Sequence, residues 1–593
     1  MCGINGFSFP NKELALRMKE FTKNRGPNAD GLYLGKNITL THNRLSIIDL
    51  NERANQPMEF KNLVITYNGE IYNFRDLRFE LENLGYFFKT NSDTEVILYL
   101  FHKYNVEGFK KLSGIFAIAL WNNDTKTLYL IRDTVGVKPI YYYKNFNNEI
   151  FFSSSIKSLL ISVDKKMLNE KSLNYYSNFG RNDSDETMFK GIYKLKPGNL
   201  LIYKNKEIVI KKFLDFKFEK NIYSNQEIKS EIEKTIQKQF ISDVPVALSL
   251  SGGVDSNIVY SVMRNKLKKK FNIYSFYFHD YDKFNEDFYT AKNNAKYFDD
   301  NFIPIEIKHN QFIENSEDVT EILEEPLANQ CSILNYVMSK KVKEKVLFTG
   351  DGGDETFTGY DKYRSILIVK TLQKLIFFNN LKIKTKNKNL NRLFMNNVKD
   401  LYLSFSEKNI FKDLDKYFIN YKEITAQELE QNHTTNETLQ NNLNGVCYLD
   451  LDTVVPNDYL LRNDKIFMNE AIEVRVPLLD VNIINKFLMM NEYKKFNYSF
   501  ESKGLLKKIF KKDIHKLTKK KLGLQSPYAK WMKQPLQRFL KEILSKEYYK
   551  NSNNYFDFNE INKMIHKHQV EYYNPHLLWS LVMLQIFLKK FKL

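Results

Sequence analysis

Cysteine is scarce: Cys2, Cys331 and Cys447 are the only three in a chain of 593 residues. They lie far apart and form no CxxC pair. That argues against a disulfide framework or a cysteine zinc site, and for a reducing cytoplasm. Long apolar runs are missing too. The most apolar late stretch, Leu577 to Leu588, is short and interrupted by Ser580 and Gln585, so it reads as a buried helix and no membrane span is expected. A secretory leader is not expected either, because Asn5, Pro10, Asn11, Lys12 and Glu13 break up the first residues. No internal repeat emerges. No Gly-Lys-Ser/Thr follows a glycine-rich turn, which removes the Walker type of nucleotide loop.

Apolar residues make up 43% and charged residues 27%, the balance of a folded soluble protein. The length is too great for one ordinary core and predicts two or three domains. The formal charge of +19 raises nucleic-acid binding as a possibility. Against it, Lys, Asn, Phe and Tyr are over-used along the whole chain, as in AT-rich coding. The basic runs Lys268-Lys269-Lys270 and Lys519-Lys520-Lys521 are short and far apart, which reads as solvated surface. An anionic substrate such as ATP also suits a basic cleft.

The first half reads as short strands and turns. Leu63 to Tyr67 forms a strand ending at Asn68-Gly69, and Ile115 to Leu120 and Thr127 to Ile131 flank a turn at Asn122-Asn123-Asp124. Phe74 to Leu84 has helical spacing and stops at Gly85. The whole is an α+β or layered β-rich unit. Residues 205–226 are polar and lack periodicity, which places the domain boundary there and gives domains 1–210 and 225–593. In the second half, Val244 to Leu250 is a buried strand running into a glycine turn, with a helix from about Asp255. Strands at Asn272 to Phe278 and Lys345 to Phe348 alternate with helices, which predicts a parallel sheet. The rest is mostly helical. Asn- and Lys-rich tracts at 382–397 and 551–555 read as loops.

Chemistry concentrates in three places. If Met1 is removed, Cys2 carries both a thiol and an α-amine of pKa about 7.7–8.0, a nucleophile with its own base. Ser251-Gly252-Gly253-Val254-Asp255-Ser256 joins a strand to a helix, so its backbone N–H groups and the helix terminus suit a phosphate. Asp255 can hold a magnesium ion there. Thr349-Gly350-Asp351-Gly352-Gly353-Asp354-Glu355 follows another strand, with Gly359-Tyr360 soon after. Its three carboxylates are costly unless a cation shares them, and Asp255 with Asp354 is the best pair for magnesium.

The Ser251 to Ser256 loop resembles the pyrophosphate loop of N-type ATP pyrophosphatases, which cleave ATP between its α- and β-phosphates. Met1-Cys2-Gly3-Ile4, Arg25-Gly26-Pro27, His42 to Asp49, Asn68 to Asn73 and Ser92 to Glu95 then occur in the order of a class II glutamine amidotransferase domain. Arg132-Asp133, Gly136-Val137-Lys138-Pro139 and Tyr141-Tyr142 extend that match. Glu473 to Asp480, Lys503 to Lys507 and Leu578-Trp579-Ser580-Leu581 complete a resemblance to the glutamine-hydrolysing asparagine synthetases from end to end.

That resemblance implies a four-layer αββα N-terminal-nucleophile domain followed by a parallel-sheet α/β ATP-pyrophosphatase domain with a helical extension. It implies that Cys2 attacks glutamine, with Asn68 and Gly69 as oxyanion hole. Arg44 takes the substrate α-carboxylate and Asp93 its α-ammonium, and Leu45, Ser46, Ile47, Ile48 and Glu70 complete the pocket. ATP lies on Ser249, Ser251, Gly252, Gly253, Asp255, Ser256, Phe278, Thr349 and Gly350. Asp351 acts around acyl-adenylate formation and ammonia attack, Lys503 neutralises the departing pyrophosphate, and magnesium sits on Asp255 and Asp354. The small-molecule substrates implied are glutamine, aspartate or a related carboxylate, and ATP. The family often forms homodimers and passes ammonia through an internal channel. Neither nucleic acid nor membrane is an expected partner.

Several positions depart from the family pattern: Asn28 for Asp, Ser155 for Glu, Asn257 for Ser, Thr358 for Gly, Lys507 for Arg, and Ile466-Phe467-Met468-Asn469 for Met-Ser-Met-Ala. The last group falls on the acceptor side by expectation. It motivates an alternative with the same chemistry on another carboxylate, as in amidation of surface-polysaccharide sugars. A tRNA-modifying or RNA-binding role lacks the paired-cysteine relay and RNA module it needs. A β-lactam-forming relative normally lacks the cysteine.

Overall fold

The computed structural model describes residues 2–217, 223–376, 398–405, 413–425, 443–496, 501–518 and 526–593, with Arg392, Met395 and Glu428 besides. Met1, the run Lys519-Lys520-Lys521 and most of the 382–397 tract lie outside the described residues.

Two six-stranded antiparallel sheets build the first half. One runs Ile192–Lys194, Tyr141–Lys144, Ile150–Ser153, Gly3–Phe7, Thr39–Arg44, Ala29–Leu34. The other runs Glu207–Lys212, Asn199–Lys204, Thr127–Arg132, Gly114–Asn122, Leu63–Ile71, Met58–Phe60. Alternation along the strands sends Ile4, Leu40, Val64, Ala117, Ala119, Leu128 and Phe152 into one apolar layer between the sheets. The opposite faces are covered by helices: Phe74–Asn83 and Asp93–Tyr104 over the second sheet, Lys12–Glu20 and Ile156–Leu160 over the first. This is the expected αββα arrangement, and it sets the start of the chain in the middle of a sheet.

Two local expectations need correction. Asn68-Gly69 does not end a strand. Leu63–Ile71 continues through it, with Asn68 opposite Ala117 and Gly69 opposite Phe116. A ladder in which every residue is buried outweighs the turn preference of an Asn-Gly pair. The 205–226 stretch is not a bare linker either. Glu207–Lys212 pairs antiparallel with Asn199–Lys204 around Asn205 and Lys206, so an end at 210 falls inside a strand. Its mostly exposed side chains left no apolar period to read.

The second half carries a five-stranded parallel sheet ordered Asn301–Ile307, Asn272–Phe278, Val246–Ser249, Val346–Phe348, Glu473–Arg475. The late apolar stretch is a helix, Pro575–Phe591, buried from Leu577 to Leu588. The helix is apolar on all sides because it packs on both halves: Tyr176 donates its hydroxyl to Ser580 O at 2.8 Å, and Phe189 meets Phe587 and Phe591 ring to ring. No helix among the described residues is long and apolar enough to cross a membrane.

The halves share one apolar core that includes Ile47 and Tyr72 on one side and Leu248, Val474 and Leu584 on the other. Buried charge also crosses between them. Arg25 grips Asp464 with both terminal guanidinium nitrogens, Nη1 and Nη2, at 2.7 and 3.0 Å, and donates its Nε–H to Cys2 O at 3.1 Å. Lys138 Nζ adds to Asp464 at 3.5 Å, and Lys465 Nζ, paired with Glu324 of its own half at 2.5 Å, donates across to Ser154 O at 3.1 Å. Burial alone would push the Asp464 carboxyl up, and Arg25 with Lys138 outweighs it and holds the group below its usual range. Asp464→Ala leaves two buried cations without their anion. The expected cost is about 3–5 kcal/mol, read as a lowered urea midpoint at neutral pH.

Candidate active sites

Cys2 is 7% exposed and directly precedes the central strand Gly3–Phe7. Its nitrogen donates to Asn68 Oδ1 at 2.9 Å. In the unprocessed chain that nitrogen is a peptide N–H; once Met1 is gone it is the α-amine. Asn68 thereby faces the nucleophile with its oxygen bonded, while its buried Nδ2 has no hydrogen-bond partner among the described residues. A buried amide donor left open beside a nucleophile suits an oxygen that gains negative charge during reaction. Gly69 is required by space: a Cβ there would lie 2.1 Å from Ile115 O. Burial pushes the Cys2 thiol up, while the chain's amino terminus, the Leu45 backbone and Arg44 pull it down.

The remaining expected glutamine residues surround this point. Asp93 opens the helix Asp93–Tyr104 and accepts from Tyr67 Oη at 2.7 Å and Ile71 N at 3.0 Å. Its burial pushes the carboxyl up, against those hydrogen bonds. Burial, then Glu473, pushes Glu70 well above the carboxylate range, against the pull of Arg475. Arg44 differs from expectation in its present partners. Its Nη1 donates to Asn51 O and Asn55 Oδ1, both at 2.8 Å, and its Nη2 to Ile48 O at 3.3 Å and to Asp49 O. The guanidinium therefore braces the Leu45, Ser46, Ile47, Ile48 loop from behind. Asn28, the first departure, keeps an acceptor where Asp is usual: its Oδ1 takes Ser46 N–H at 3.0 Å.

The second site is a cavity of about 540 Å³ at the carboxyl ends of the parallel strands, where ligands bind in open α/β sheets. Ser249, Ser251, Gly252, Gly253, Asp255, Ser256, Phe278, Thr349, Gly350, Asp351, Asp354 and Lys503 all line it, so every residue assigned to the nucleotide falls on one surface. Glycines are needed because the two loops abut: a Cβ on Gly350 would lie 2.5 Å from Ser256 N, and one on Gly353 would lie 2.4 Å from Asp255 Cγ. Asn257 serves the loop where a serine is usual, its Nδ2 donating to Ser251 O at 2.9 Å and Gly253 O at 2.7 Å.

The acidic cluster is neutralised in parts. Lys503, buried and in a left-handed conformation at φ 56°, pairs with Asp255 and, at 2.5 Å, with Asp354. Burial would lower its ammonium; Asp255 and Asp354 outweigh that and raise it. Asp351 accepts from Asn463 Nδ2 at 2.7 Å and from Thr349 Oγ1 at 3.1 Å. Glu355 accepts from Tyr360 Oη at 2.6 Å, and burial, then Asp354, pushes it up to about 8. Thr358 stands at φ 56°, a left-handed position that favours the family's glycine.

The group Ile466-Phe467-Met468-Asn469 is corrected in part. Only Phe467 lines the cavity; Ile466 and Met468 are buried in the core, and Asn469 Oδ1 accepts from Asn24 Nδ2 at 3.3 Å. The helix Leu460–Met468 serves both sides: Arg462, Asn463 and Phe467 line the cavity, while Asp464 pairs with Arg25 of the first half and Lys465 with Glu324. Asn463, which touches Asp351, was not singled out by sequence. Its only signal is its place next to Asp464.

Residues 1–214 match a glutamine amidotransferase domain, which makes the first half a member of that class. Residues 227–589 match asparagine synthase, and the chain belongs to the asparagine synthase family. It is 29% identical over 580 residues to glutamine-hydrolyzing asparagine synthetase 1 of Bacillus subtilis, covering 92% of this chain and 90% of that one. A putative glutamine-hydrolyzing asparagine synthetase 2 of Methanocaldococcus jannaschii is 31% identical over 61% of this chain and 76% of its own. The amidase chry2 of Gibberella zeae is 27% identical over 88% of this chain and 86% of its own.

Proposed function

We propose that this protein is a glutamine-dependent asparagine synthetase. It hydrolyses glutamine, adenylates the side-chain carboxylate of aspartate with ATP, and joins the two halves of the reaction through ammonia. The observation that carries the reading is Asn68, bonded through its oxygen to the Cys2 nitrogen and left with a buried open donor, in a chain whose second half gathers the ATP residues on one cavity.

In the first site the Cys2 sulfur attacks the glutamine carboxamide carbon. The thiol proton passes by way of the α-amine to the departing nitrogen, the C–N bond breaks, and ammonia leaves. Asn68 Nδ2 and the Gly69 N–H receive the oxyanion. Water then hydrolyses the thioester to glutamate and restores Cys2. Asp93 takes the substrate α-ammonium, and Glu70 completes the pocket. Arg44 meets the α-carboxylate by its charge while it holds the loop.

In the second site a carboxylate oxygen of aspartate attacks the α-phosphorus of ATP and pyrophosphate leaves. Ammonia then attacks the acyl carbon and AMP leaves. The Ser251 to Ser256 loop cradles the pyrophosphate, Lys503 balances its charge as it departs, and Asp351 stands beside the reacting acyl group. Magnesium fits the donor set: two carboxylates, Asp255 and Asp354, already converge on one cation, Lys503, and magnesium takes one or two carboxylates together with substrate phosphates. When bound it supplies charge neutralisation for the phosphates. A homodimer, a cytoplasmic setting and the two domains 1–210 and 225–593, the first extended through Lys212, belong to the same reading.

Purified protein given ATP, glutamine and aspartate is expected to yield asparagine, AMP, pyrophosphate and glutamate, identified by mass spectrometry. Glutamate and no asparagine would point instead to another carboxylate acceptor, to be found with an acceptor panel. Chelation of magnesium is expected to stop AMP formation while glutamate release continues. AMP formation unaffected by chelation would remove the metal from Asp255 and Asp354.

A further inference from the structure

The loop that carries Ile47 and Ile48 ends at Asp49, whose backbone is left-handed at φ 49°. A non-glycine residue holds that conformation only when its surroundings support it. Several supports are local to the first half, among them Asn51, whose N and Nδ2 donate to Asp49 Oδ1 at 3.3 and 3.0 Å, and Arg53, whose Nε lies 3.6 Å from Asp49 Oδ2. Arg44 donates to Asp49 O and, at 3.3 Å, to Ile48 O, and Asp49 Oδ2 accepts Asn91 N–H at 2.7 Å, two residues before Asp93. The remaining support comes from the other half of the chain. Asp243 N donates to Ile47 O at 2.9 Å, and Asp49 N donates to Asp243 Oδ2 at 2.9 Å.

Asp243 stands just before the strand Val246–Ser249, whose last residue lines the ATP cavity. Two residues earlier, Ile241 O accepts Arg475 Nη1 at 2.7 Å, and Arg475 lies 3.9 Å from Glu70 of the glutamine pocket. The segment entering the ATP strand is thus tied to the glutamine site at two places. Only the Asp243 clasp fixes the loop itself, because it holds the backbone on both sides of Ile48.

We propose that Asp243 is a positioning residue for glutamine, reaching its pocket from the ATP-binding half. The role rests on the glutaminase reading of Cys2 and its neighbours. It predicts that glutamine binding depends on a side chain outside the amidotransferase domain, and that the start of the ATP strand and the glutamine loop shift together.

Asp243→Ala removes the side-chain acceptor and keeps the N–H to Ile47. Asp243→Asn keeps an oxygen in the same place. With the full-length protein, Asp243→Ala is expected to raise the KM for glutamine about tenfold while the kcat of glutamate release stays within about twofold. Asp243→Asn is expected to stay within about twofold of the parent in both, and ammonia-driven AMP formation to be unchanged in both variants. An unaltered KM in Asp243→Ala would overturn the role. So would a parallel fall of kcat and ammonia-driven synthesis, which marks a merely structural residue. A parent protein that releases no glutamate at all would remove the glutaminase reading, and this role with it; a parent that does, beside an unaffected Asp243→Ala, removes this role alone.

Discussion

Cys2→Ala abolishes glutamate release from glutamine, a fall of at least about 10³-fold, while synthesis driven by added ammonia continues. Cys2 is the only cysteine before Cys331, and His42 is buried, pushed down to about 3 by its burial, and bonded through Nε2 to Tyr67 O at 3.2 Å. The substitution is small in volume and keeps the backbone nitrogen that meets Asn68, so the sheet around Gly3–Phe7 and the glutamine contacts remain. Glutamine therefore still binds, and its binding is measurable in the inert protein. The cavity proposed for ATP is lined by none of the residues around Cys2, so ammonia supplied from solvent bypasses the lesion. Glutamate formation and ammonia-driven AMP formation, followed on the same preparation, test this. Loss of both would mean that the two sites do not work separately.

Much of the fold and site was legible, and the reasons differ by region. The ATP loop stood out because glycine is sterically required where Gly350 meets Ser256 and Gly353 meets Asp255, so the packing is written in composition. The buried strands of the parallel sheet appeared as apolar runs between turns, and Asn272–Phe278 lies where the pattern set it. The strand Glu207–Lys212 was invisible because it is an edge whose side chains mostly face solvent. Asn68-Gly69 was read as a strand end because local turn preference does not reveal that both residues have partners across a ladder.

What sequence could not supply was pairing over long separations. Lys503 was read as a partner for pyrophosphate; its ion pairs with Asp255 and Asp354 join residues far apart in the chain. Asp464 and Lys465, just before the group expected on the acceptor side, reach the first half through Arg25 and through Ser154 O. Asp243 carried no motif signal of its own, since a single aspartate before a strand is common. Its importance follows only from the left-handed Asp49 it meets.

Asp351→Ala produces the opposite pattern to Cys2→Ala: amide synthesis falls by about 10²–10³-fold, the scale for removing one preorganised group from a reacting centre, and glutamate release stays within about twofold. Of the three carboxylates in its loop, Asp351 is the one whose place suits the reacting acyl group. Asp354 is bound to Lys503, and Glu355 is held by Tyr360 and pushed up by burial and by Asp354. Asp351 lines the cavity and is aimed by Thr349 and Asn463. The loss should appear with ammonia as well as glutamine as nitrogen source, because the defect lies after ammonia is made. Asp351→Asn divides the cause: it keeps the size and a hydrogen-bonding oxygen for Asn463 but removes the charge. Activity close to the parent in Asp351→Asn would assign the group to orientation, and activity as low as in Asp351→Ala would assign it to charge. AMP-linked synthesis persisting in Asp351→Ala itself would take Asp351 out of the chemistry, and the helix Leu460–Met468 would then touch the second site through Asn463 for packing alone.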